Sequence, residues 1–172
     1  VTGVQTCALP ICLESVRAFF VRLGLNIEIL ELPVSTATVE QAAQAHGVEP
    51  GRIAKTLAFA LNDGRAVLLV ARGDARIDNR KFKAALGIGE MLPPEDAERL
   101  TGHPVGGVCP FGLASELPVY LDMSLKNFSE VLPAAGAIHA AVRVSPELLA
   151  QVTCGQWIDV TVNPAANVMQ SP

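Results

Sequence analysis

Aromatic residues are scarce in this sequence, and charged residues are few. Aromatics make up 5% of the 172 residues, so a core has to be built mainly from alanine, valine, leucine and isoleucine. Lysine and arginine number 13 against 17 aspartates and glutamates, which gives a formal net charge of −4. This acidic total argues against a protein that binds nucleic acid mainly through bulk charge.

Long hydrophobic runs and paired cysteines are also lacking. No apolar run approaches the roughly 18–20 residues of a membrane span, so no membrane partner is expected. The four cysteines form no CxxC pair, which leaves neither a zinc signature nor a disulfide framework and favours the reducing cytoplasm. Half of the residues are apolar, and the chain is long enough for one globular domain with a proper core.

The two ends of the chain differ from its middle. Residues 1–12 read VTGVQTCALPIC and lack the basic and apolar regions of a secretory signal. They look like a translated sequencing adapter, so we expect a non-native extension there. Residues 163–172 contain two prolines and no periodicity, which predicts a flexible tail. The predicted domain is therefore 13–162.

Hydrophobic spacing and turn residues predict a mixture of helices and strands in this domain. Helices are predicted over 14–23, 38–47, 78–86 and 94–100 and from 145 onward. Strands are predicted over 27–32, 53–61, 65–71, 119–122, 138–144 and 157–162. The order lacks the regular βαβ alternation of a doubly wound sheet. The sequence therefore predicts an α+β fold, a single compact domain with a mixed β-sheet flanked by helices.

One lysine lies on an apolar face of a predicted strand. Side chains alternate between faces along a strand, so Lys55 shares its face with Ile53, Leu57, Phe59 and Leu61. An ammonium group on such a face is costly unless it is paired or reaches a wet cleft. Two interpretations stay open: Lys55 snorkels to solvent at the strand end, or it anchors an anionic or oxygen-rich ligand at the floor of a pocket.

The segment 101–113, TGHPVGGVCPFGL, is rich in glycine and proline. Prolines fix the path of such a loop, while glycines allow close approach of backbone N–H groups to an anion or a developing oxyanion. It is not a Walker A motif, because no Gly-Lys-Ser/Thr follows, and it follows a predicted helix where a dinucleotide fingerprint needs a strand. A structural turn and a binding loop both remain open.

Together with Lys55-Thr56-Leu57 and PVYLD at 118–122, this loop resembles the YbaK/EbsC family of aminoacyl-tRNA deacylases. That family is similar to the editing domain of bacterial prolyl-tRNA synthetases. The resemblance spans nearly all of 13–162 and implies a mixed, barrel-like β-sheet. It also implies trans-acting hydrolysis of the ester of mischarged tRNA, a translation quality-control reaction that uses no metal or other cofactor.

The partners that the resemblance implies are the acceptor end of an aminoacyl-tRNA and an aminoacyl-tRNA synthetase, with no DNA. A module that binds an aminoacyl-adenosine or a tRNA end without turnover is the alternative, because it would use the same lysine and loop.

The resemblance also implies the site residues. Those expected in catalysis are Lys55, Gly106 and Gly107. Those expected to bind the substrate are Thr56, Gly102, His103, Val108, Pro110, Asp122, Gly136 and His139, and no metal ligand is expected. A turn-capping role stays open for His103. Asp122 either orients Lys55 or a water, or caps the turn that follows it.

Cys109 lies inside the glycine-proline loop and invites comparison with a thiol nucleophile. Such a nucleophile needs a nearby base and a lowered pKa, and the sequence shows neither. A small buried hydrophobe is therefore the favoured interpretation, and Cys154 is likewise expected in the core.

Five cations fall within twelve residues: Arg72, Arg76, Arg80, Lys81 and Lys83. They are accompanied by two aspartates, Asp74 and Asp78. A solvated helix face is one interpretation, and contact with the phosphates of the acceptor stem is the other.

Overall fold

The computed structural model describes residues 13–162, so the predicted extension 1–12 and the predicted tail 163–172 lie outside the described residues. The described chain forms five α-helices: α1 (Leu13–Arg22), α2 (Val39–His46), α3 (Asn79–Leu86), α4 (Pro94–Thr101) and α5 (Pro146–Thr153). It also forms ten strands: β1 (Ile29–Glu31), β2 (Ile53–Leu61), β3 (Ala66–Arg72), β4 (Arg76–Ile77), β5 (Gly89–Met91), β6 (Val119–Asp122), β7 (Leu132–Pro133), β8 (Ala140–Val142), β9 (Gln156–Ile158) and β10 (Thr161–Val162). Two 3-10 helices cover Pro50–Arg52 and Met123–Asn127.

Six of the strands form one mixed sheet. β2 and β3 pair as an antiparallel hairpin, and β3–β6 and β6–β9 pair in parallel. The other edge of β2 pairs with two short strands, β7 in parallel and β5 antiparallel. The predicted mixed sheet flanked by helices is thus confirmed. Within the described residues its outer strands, β5 and β9, do not pair with each other, so the sheet is open rather than a closed barrel.

Local signals in the sequence account for the ends of several elements. The Thr38 hydroxyl accepts a hydrogen bond from the Gln41 N–H at 3.1 Å, which caps α2. Asp78 caps α3 in the same way, through the N–H of Arg80. The hairpin turns at Gly64, whose φ of +89° favours glycine. The predicted helices at 38–47 and 78–86 and the predicted hairpin are confirmed.

The sheet separates two apolar clusters, and alternate residues of β2 and β3 contribute to each. One cluster packs against α1 and α5 and includes Ala54, Ala58, Leu68 and Val70. The other packs against α3 and includes Phe59, Leu61, Val67, Leu69 and Phe82. Lys55 therefore lies at the end of the strand face that α3 covers further along.

No helix in the described part of the chain is long and apolar enough to cross a membrane. The longest, α1, has 10 residues, which is half of what a span of about 20 residues requires.

Candidate functional site

A cavity of about 410 Å³ lies beside an unpaired stretch of β2. On this edge β7 pairs with Ile53 and Ala54, and β5 pairs from Phe59 onward. Within the described range 13–162, residues 55–58 face no strand on that side, and the cavity occupies the gap. The other walls come from α2, the start of α4, β8 and the loop residues Val105, Gly106 and Val108.

The cavity is lined mainly by small apolar side chains. Many of them are alanines: Ala37, Ala42, Ala54, Ala58, Ala97, Ala134, Ala140 and Ala141. The polar lining residues are Thr36, Thr38, His46, Lys55 and Thr56. Such a chamber suits a small, largely apolar group that carries a few polar atoms.

The backbone of Thr56 faces the gap. Backbone N–H and C=O groups of neighbouring residues point to opposite edges of a strand, so every second residue uses the same edge. Ala58 uses the gap edge, because its carbonyl accepts a hydrogen bond from the Leu92 N–H at 2.9 Å. Thr56 lies two residues earlier and directs its backbone donor and acceptor to the cavity side.

Lys55 lies in the cavity wall and is half-buried. Its Nζ donates hydrogen bonds to the carbonyls of Gly73, at 3.1 Å, and Ala75, at 2.5 Å. An ammonium has three protons, so one remains for a ligand. Burial lowers the pKa of Lys55 from its ordinary value, and the Asp74 and Glu40 carboxylates oppose that shift.

The glycine-proline loop approaches two other backbone segments closely. A Cβ on Gly106, where φ is +86°, would lie 2.7 Å from the Ala37 Cβ. A Cβ on Gly107 would lie 2.8 Å from the Ala137 backbone, and the Gly107 carbonyl accepts a hydrogen bond from the Gly136 N–H at 3.1 Å. Glycine is required for both approaches, and they place the loop over the cavity.

Four of the predicted site residues line the cavity: Lys55, Thr56, Gly106 and Val108. The backbone N–H groups of Gly106 and Val108 donate to no acceptor within the described residues. Neither N–H is therefore committed to an acceptor in the described part of the chain. Gly107 and Gly136 lie immediately behind this wall and join the loop to the segment before β8.

The structure places the other predicted binding residues away from the cavity. Gly102 ends α4 with a φ of +76°, and Pro110 lines a separate groove beside α1. Asp122 is fully buried and accepts hydrogen bonds from the N–H groups of Ser124 and Val160, which caps the following 3-10 helix. His139 lies on the surface, where its Nε2 is 3.8 Å from a Glu31 carboxylate oxygen.

His103 and Cys109 meet in the core. Both are fully buried, and the Cys109 Sγ lies 3.5 Å from the His103 Nε2. The same nitrogen lies 2.7 Å from the Phe111 carbonyl, so it must carry the proton that it donates there and is not a base for the thiol. Burial raises the pKa of the Cys109 thiol to about 12. The expectation for Cys154 is wrong, since this residue is exposed where it ends α5 in a left-handed conformation.

The cations of 72–83 divide into two groups. Arg72 is 8% exposed and forms an ion pair with Asp74, while the Lys81 Nζ lies 2.9 Å from an Asp159 carboxylate oxygen. The remaining three are exposed on β4 and α3: Arg76, Arg80 and Lys83.

Sequence reasoning missed His46 as a cavity residue. The His46 Nε2 and the Thr56 Oγ1 are buried without a hydrogen-bond partner in the described part of the chain. Burial lowers the pKa of His46, and Arg143 adds to the shift. A signal was present, because His46 follows Val39 and Ala42 at helical spacing on the apolar face of α2.

Residues 34–152 match the family described as the aminoacyl-tRNA editing domain. The matched range contains every residue that lines the cavity. The chain belongs to this family. The resemblance inferred from the loop and the strand lysine is thereby confirmed.

Among its relatives, this editing domain is 45% identical over 150 residues to "Uncharacterized protein YwhH" of Bacillus subtilis, covering 86% of this chain and 96% of that one. It is 32% identical over 126 residues to the "Putative Cys-tRNA(Pro)/Cys-tRNA(Cys) deacylase EbsC" of Enterococcus faecalis, covering 72% and 77%. A crystal structure of "a putative trans-editing enzyme for prolyl tRNA synthetase" superposes with a TM-score of 0.81 at 34% identity, over 90% of this chain and 98% of that one.

Proposed function

We propose that this editing domain is a trans-acting aminoacyl-tRNA deacylase, which hydrolyses the ester between a wrong amino acid and its tRNA. The observation that carries the proposal is the cavity in the sheet gap. It combines an alanine-rich chamber for a small aminoacyl group with an ammonium and backbone N–H donors on its wall. Two relatives named for deacylation and trans-editing support this assignment.

Ester hydrolysis needs few catalytic side chains, because the carbonyl carbon of an ester is already activated for attack. An attacking oxygen adds to the ester carbon, and the resulting oxyanion is stabilised by hydrogen-bond donors. The carbon–oxygen bond to the ribose then breaks, the ribose oxygen takes the proton that the attacking oxygen gives up, and the free amino acid and tRNA leave. We assign oxyanion stabilisation to the N–H groups of Gly106 and Val108, and the shaping of that loop to Gly107 through Gly136.

Lys55 is assigned to the terminal adenosine, where its remaining proton meets a phosphate or ribose oxygen. Lys55 and His46 are the titratable side chains among the described cavity residues. A protonated Lys55 cannot act as a general base, so the attacking oxygen is a water, or a hydroxyl of the substrate whose ester or lactone product a water then opens. Thr56 positions the aminoacyl group through its backbone.

Selectivity then rests on size. The alanines of α2, β2 and β8 set the dimensions of the chamber, which accepts a small aminoacyl group and excludes a bulky one. Such exclusion is the fine sieve of double-sieve editing. The exposed cations Arg76, Arg80 and Lys83 are proposed to meet phosphates of the acceptor stem, and a synthetase that makes the mischarged tRNA is the proposed protein partner.

The test is deacylation of a panel of mischarged tRNAs that carry small and large amino acids. We expect at least one small aminoacyl-tRNA to be hydrolysed well above the spontaneous rate. Lys55→Met is expected to lower that rate by about 10²-fold at subsaturating tRNA, because loss of one buried charged contact costs about 2–5 kcal/mol of binding. Lys126→Met, which removes a lysine that lies over the Trp157 ring, is the matched control and should retain the rate.

Wild-type rates equal to spontaneous hydrolysis on every member would contradict the proposal. Tight retention of intact aminoacyl-tRNA in the same experiment would instead identify the non-catalytic binding module.

A further inference from the structure

Two charged residues that do not line the cavity hold the turn that fixes Lys55. We infer that Arg72 and Asp74 are positioning residues for Lys55: their ion pair locks the Gly73–Ala75 turn, whose carbonyls aim the ammonium into the cavity. The inference rests on the proposed role of Lys55 in deacylation and adds the structural unit that makes this role possible.

The Gly73–Ala75 turn provides two hydrogen-bond acceptors, one on each side of Asp74 in the chain. The carbonyls of Gly73 and Ala75 converge on the Lys55 Nζ, and Asp74 stands between them in the chain. The Ala75 N–H donates to the Arg72 carbonyl at 3.2 Å and closes the turn. The position of the ammonium therefore depends on the conformation of three consecutive residues.

Arg72 and Asp74 fix that conformation through two parallel contacts. The Arg72 Nε lies 2.5 Å from the Asp74 Oδ1, and the Nη2 lies 2.7 Å from the Oδ2. A bidentate pair of this kind restricts geometry more than a single contact does. The Arg72 side of the pair is shielded from water, because its guanidinium lies 4.9 Å from the Phe128 ring centroid and a Cβ on Gly51 would lie 2.6 Å from its Nη2.

Packing holds the turn from behind. A Cβ on Gly73 would lie 2.6 Å from the Val39 Cγ1 and would also collide with the Pro50 carbonyl. Val39 itself lines the cavity. The turn is thus wedged between the cavity wall and the 3-10 helix at Pro50–Arg52, and a shift of the turn would move Lys55 with it.

The carboxylates around Lys55 favour its protonated form. The carboxylates that face it are Asp74 and Glu40, and Arg72 holds the pKa of Asp74 below its ordinary range. Asp74 therefore stays ionised and favours the charged form of Lys55 against burial. Loss of Asp74 removes a carboxylate and leaves the Arg72 cation without its partner.

The chain offers a matched control at the far end of the same hairpin. Asp63 and Arg65 are also an Asp–Arg pair two residues apart, with Arg65 Nε 2.8 Å from Asp63 Oδ2. This pair is exposed and lies beside the β2–β3 turn. It is separated in sequence from the Gly73 and Ala75 carbonyls that bind Lys55. Asp63→Asn and Arg65→Met therefore remove the same groups without touching the proposed unit.

The experiment compares Asp74→Asn, Arg72→Met and Arg72→Lys with these controls. The first readout needs no substrate: the pKa of Lys55 is followed by NMR of its 13Cε, with the signal identified by its loss in Lys55→Arg. We expect Asp74→Asn to lower the Lys55 pKa by about one unit, the low end of the effect of an adjacent opposite charge. Arg72→Met is expected to broaden or shift the Lys55 signal, and Arg72→Lys to restore it in part.

The second readout is the kcat/KM for the best substrate of the tRNA panel as a function of pH. We expect Asp74→Asn and Arg72→Met to lose about tenfold, with the alkaline limb of the Asp74→Asn profile moved to lower pH in step with the Lys55 pKa. Both control variants should match the wild type. Arg72→Lys keeps the positive charge but cannot form the bidentate contact. If Asp74→Asn or Arg72→Met fails to fold, the same two measurements on Arg72→Lys test the inference.

An unchanged Lys55 titration in folded variants of Arg72 and Asp74, or an equal change in the controls, would overturn the inference. The proposed function fails separately, when the wild type hydrolyses no member of the panel. In that case the Lys55 titration still decides whether Arg72 and Asp74 position the lysine.

Discussion

Lys55 combines a cost in stability with a proposed function, and the pH dependence of unfolding can measure that cost. Burial lowers the Lys55 pKa below the ordinary value of 10.5, so between the two values the unfolded chain binds more protons than the folded chain. The free energy of unfolding must then rise with pH across this window. Lys55→Met lacks the contribution, and we expect the wild type to gain stability relative to it as the pH rises toward 10.5.

Urea unfolding of both proteins over this pH range measures the difference. Lys55→Arg is the control, because its guanidinium does not titrate in the window. If the difference in unfolding free energy between the wild type and Lys55→Met stayed constant with pH, folding would not lower the pKa of Lys55.

Cys109 is predicted to be inert in spite of its contact with His103. A thiol whose pKa is raised to about 12 is protonated at neutral pH and unreactive. Iodoacetamide should therefore modify the exposed Cys154 in the folded protein and leave Cys109 unmodified, as peptide mapping can show. Cys109→Ala should keep the deacylation rate and lower the free energy of unfolding by about 1 kcal/mol, as for a mild core truncation. Loss of activity in that variant would implicate the thiol.

At the scale of elements, the loop over the cavity depends on Gly106. Gly106→Ala meets both a φ of +86° and a collision with Ala37, so we expect the loop to move away from the cavity mouth. Gly64→Ala is a close control, because Gly64 has a φ of +89° and no heavy atom within 4 Å of the added Cβ. The control should lose about 1 kcal/mol of stability from backbone strain alone.

Gly106→Ala should lose more stability than Gly64→Ala, and it alone should lose deacylation. Thermal unfolding and kcat/KM on one tRNA substrate provide the two measurements. Equal losses in both variants would mean that the approach of the loop to Ala37 contributes nothing to the site.

The same scale explains which elements the sequence could predict. β2 and β3 are long enough to show alternation, and an Asn-Asp-Gly turn joins them, so both were predictable. β4, β5 and β7 contain two or three residues each, too few for any period, and they form only because β10 and β2 offer them an edge. The cavity lies between the end of β7 and the start of β5. The sequence could therefore show that Lys55 lies on an apolar strand face, but it could not show that the strand edge beside Lys55 is unpaired within residues 13–162.

Burial limited the prediction of the site in the same way. The loop 101–113 carries the resemblance, yet only its middle reaches the cavity, because His103, Cys109 and Phe111 turn inward and fill the core. Arg72 looked like a surface cation in the sequence, and its burial depends on Asp74, Phe128 and Gly51, which come from three separate segments. Contacts of this kind have no local signature.

For the whole molecule, the net charge of −4 restricts how tRNA can bind. Because Arg72 and Lys81 are engaged within the protein, the exposed cations of that segment are Arg76, Arg80 and Lys83. We expect replacement of all three by glutamine to weaken aminoacyl-tRNA binding and to flatten the dependence of log Kd on log salt by up to about three, one for each phosphate that is no longer neutralised. Hydrolysis of a short aminoacyl-adenosine ester should be retained, because that substrate needs only the cavity.

A second triple variant, with glutamine at Arg22, Arg65 and Arg99, removes the same charge from outside this segment. Two of those arginines lie in exposed ion pairs with Asp63 and Asp96, which contribute little to stability. If both triple variants weakened tRNA binding equally, bulk charge would govern association and the 76–83 cations would have no special role. If only the first did, an acidic protein would bind tRNA by three local contacts and a cavity, and its affinity would depend on where its few cations lie rather than on their number.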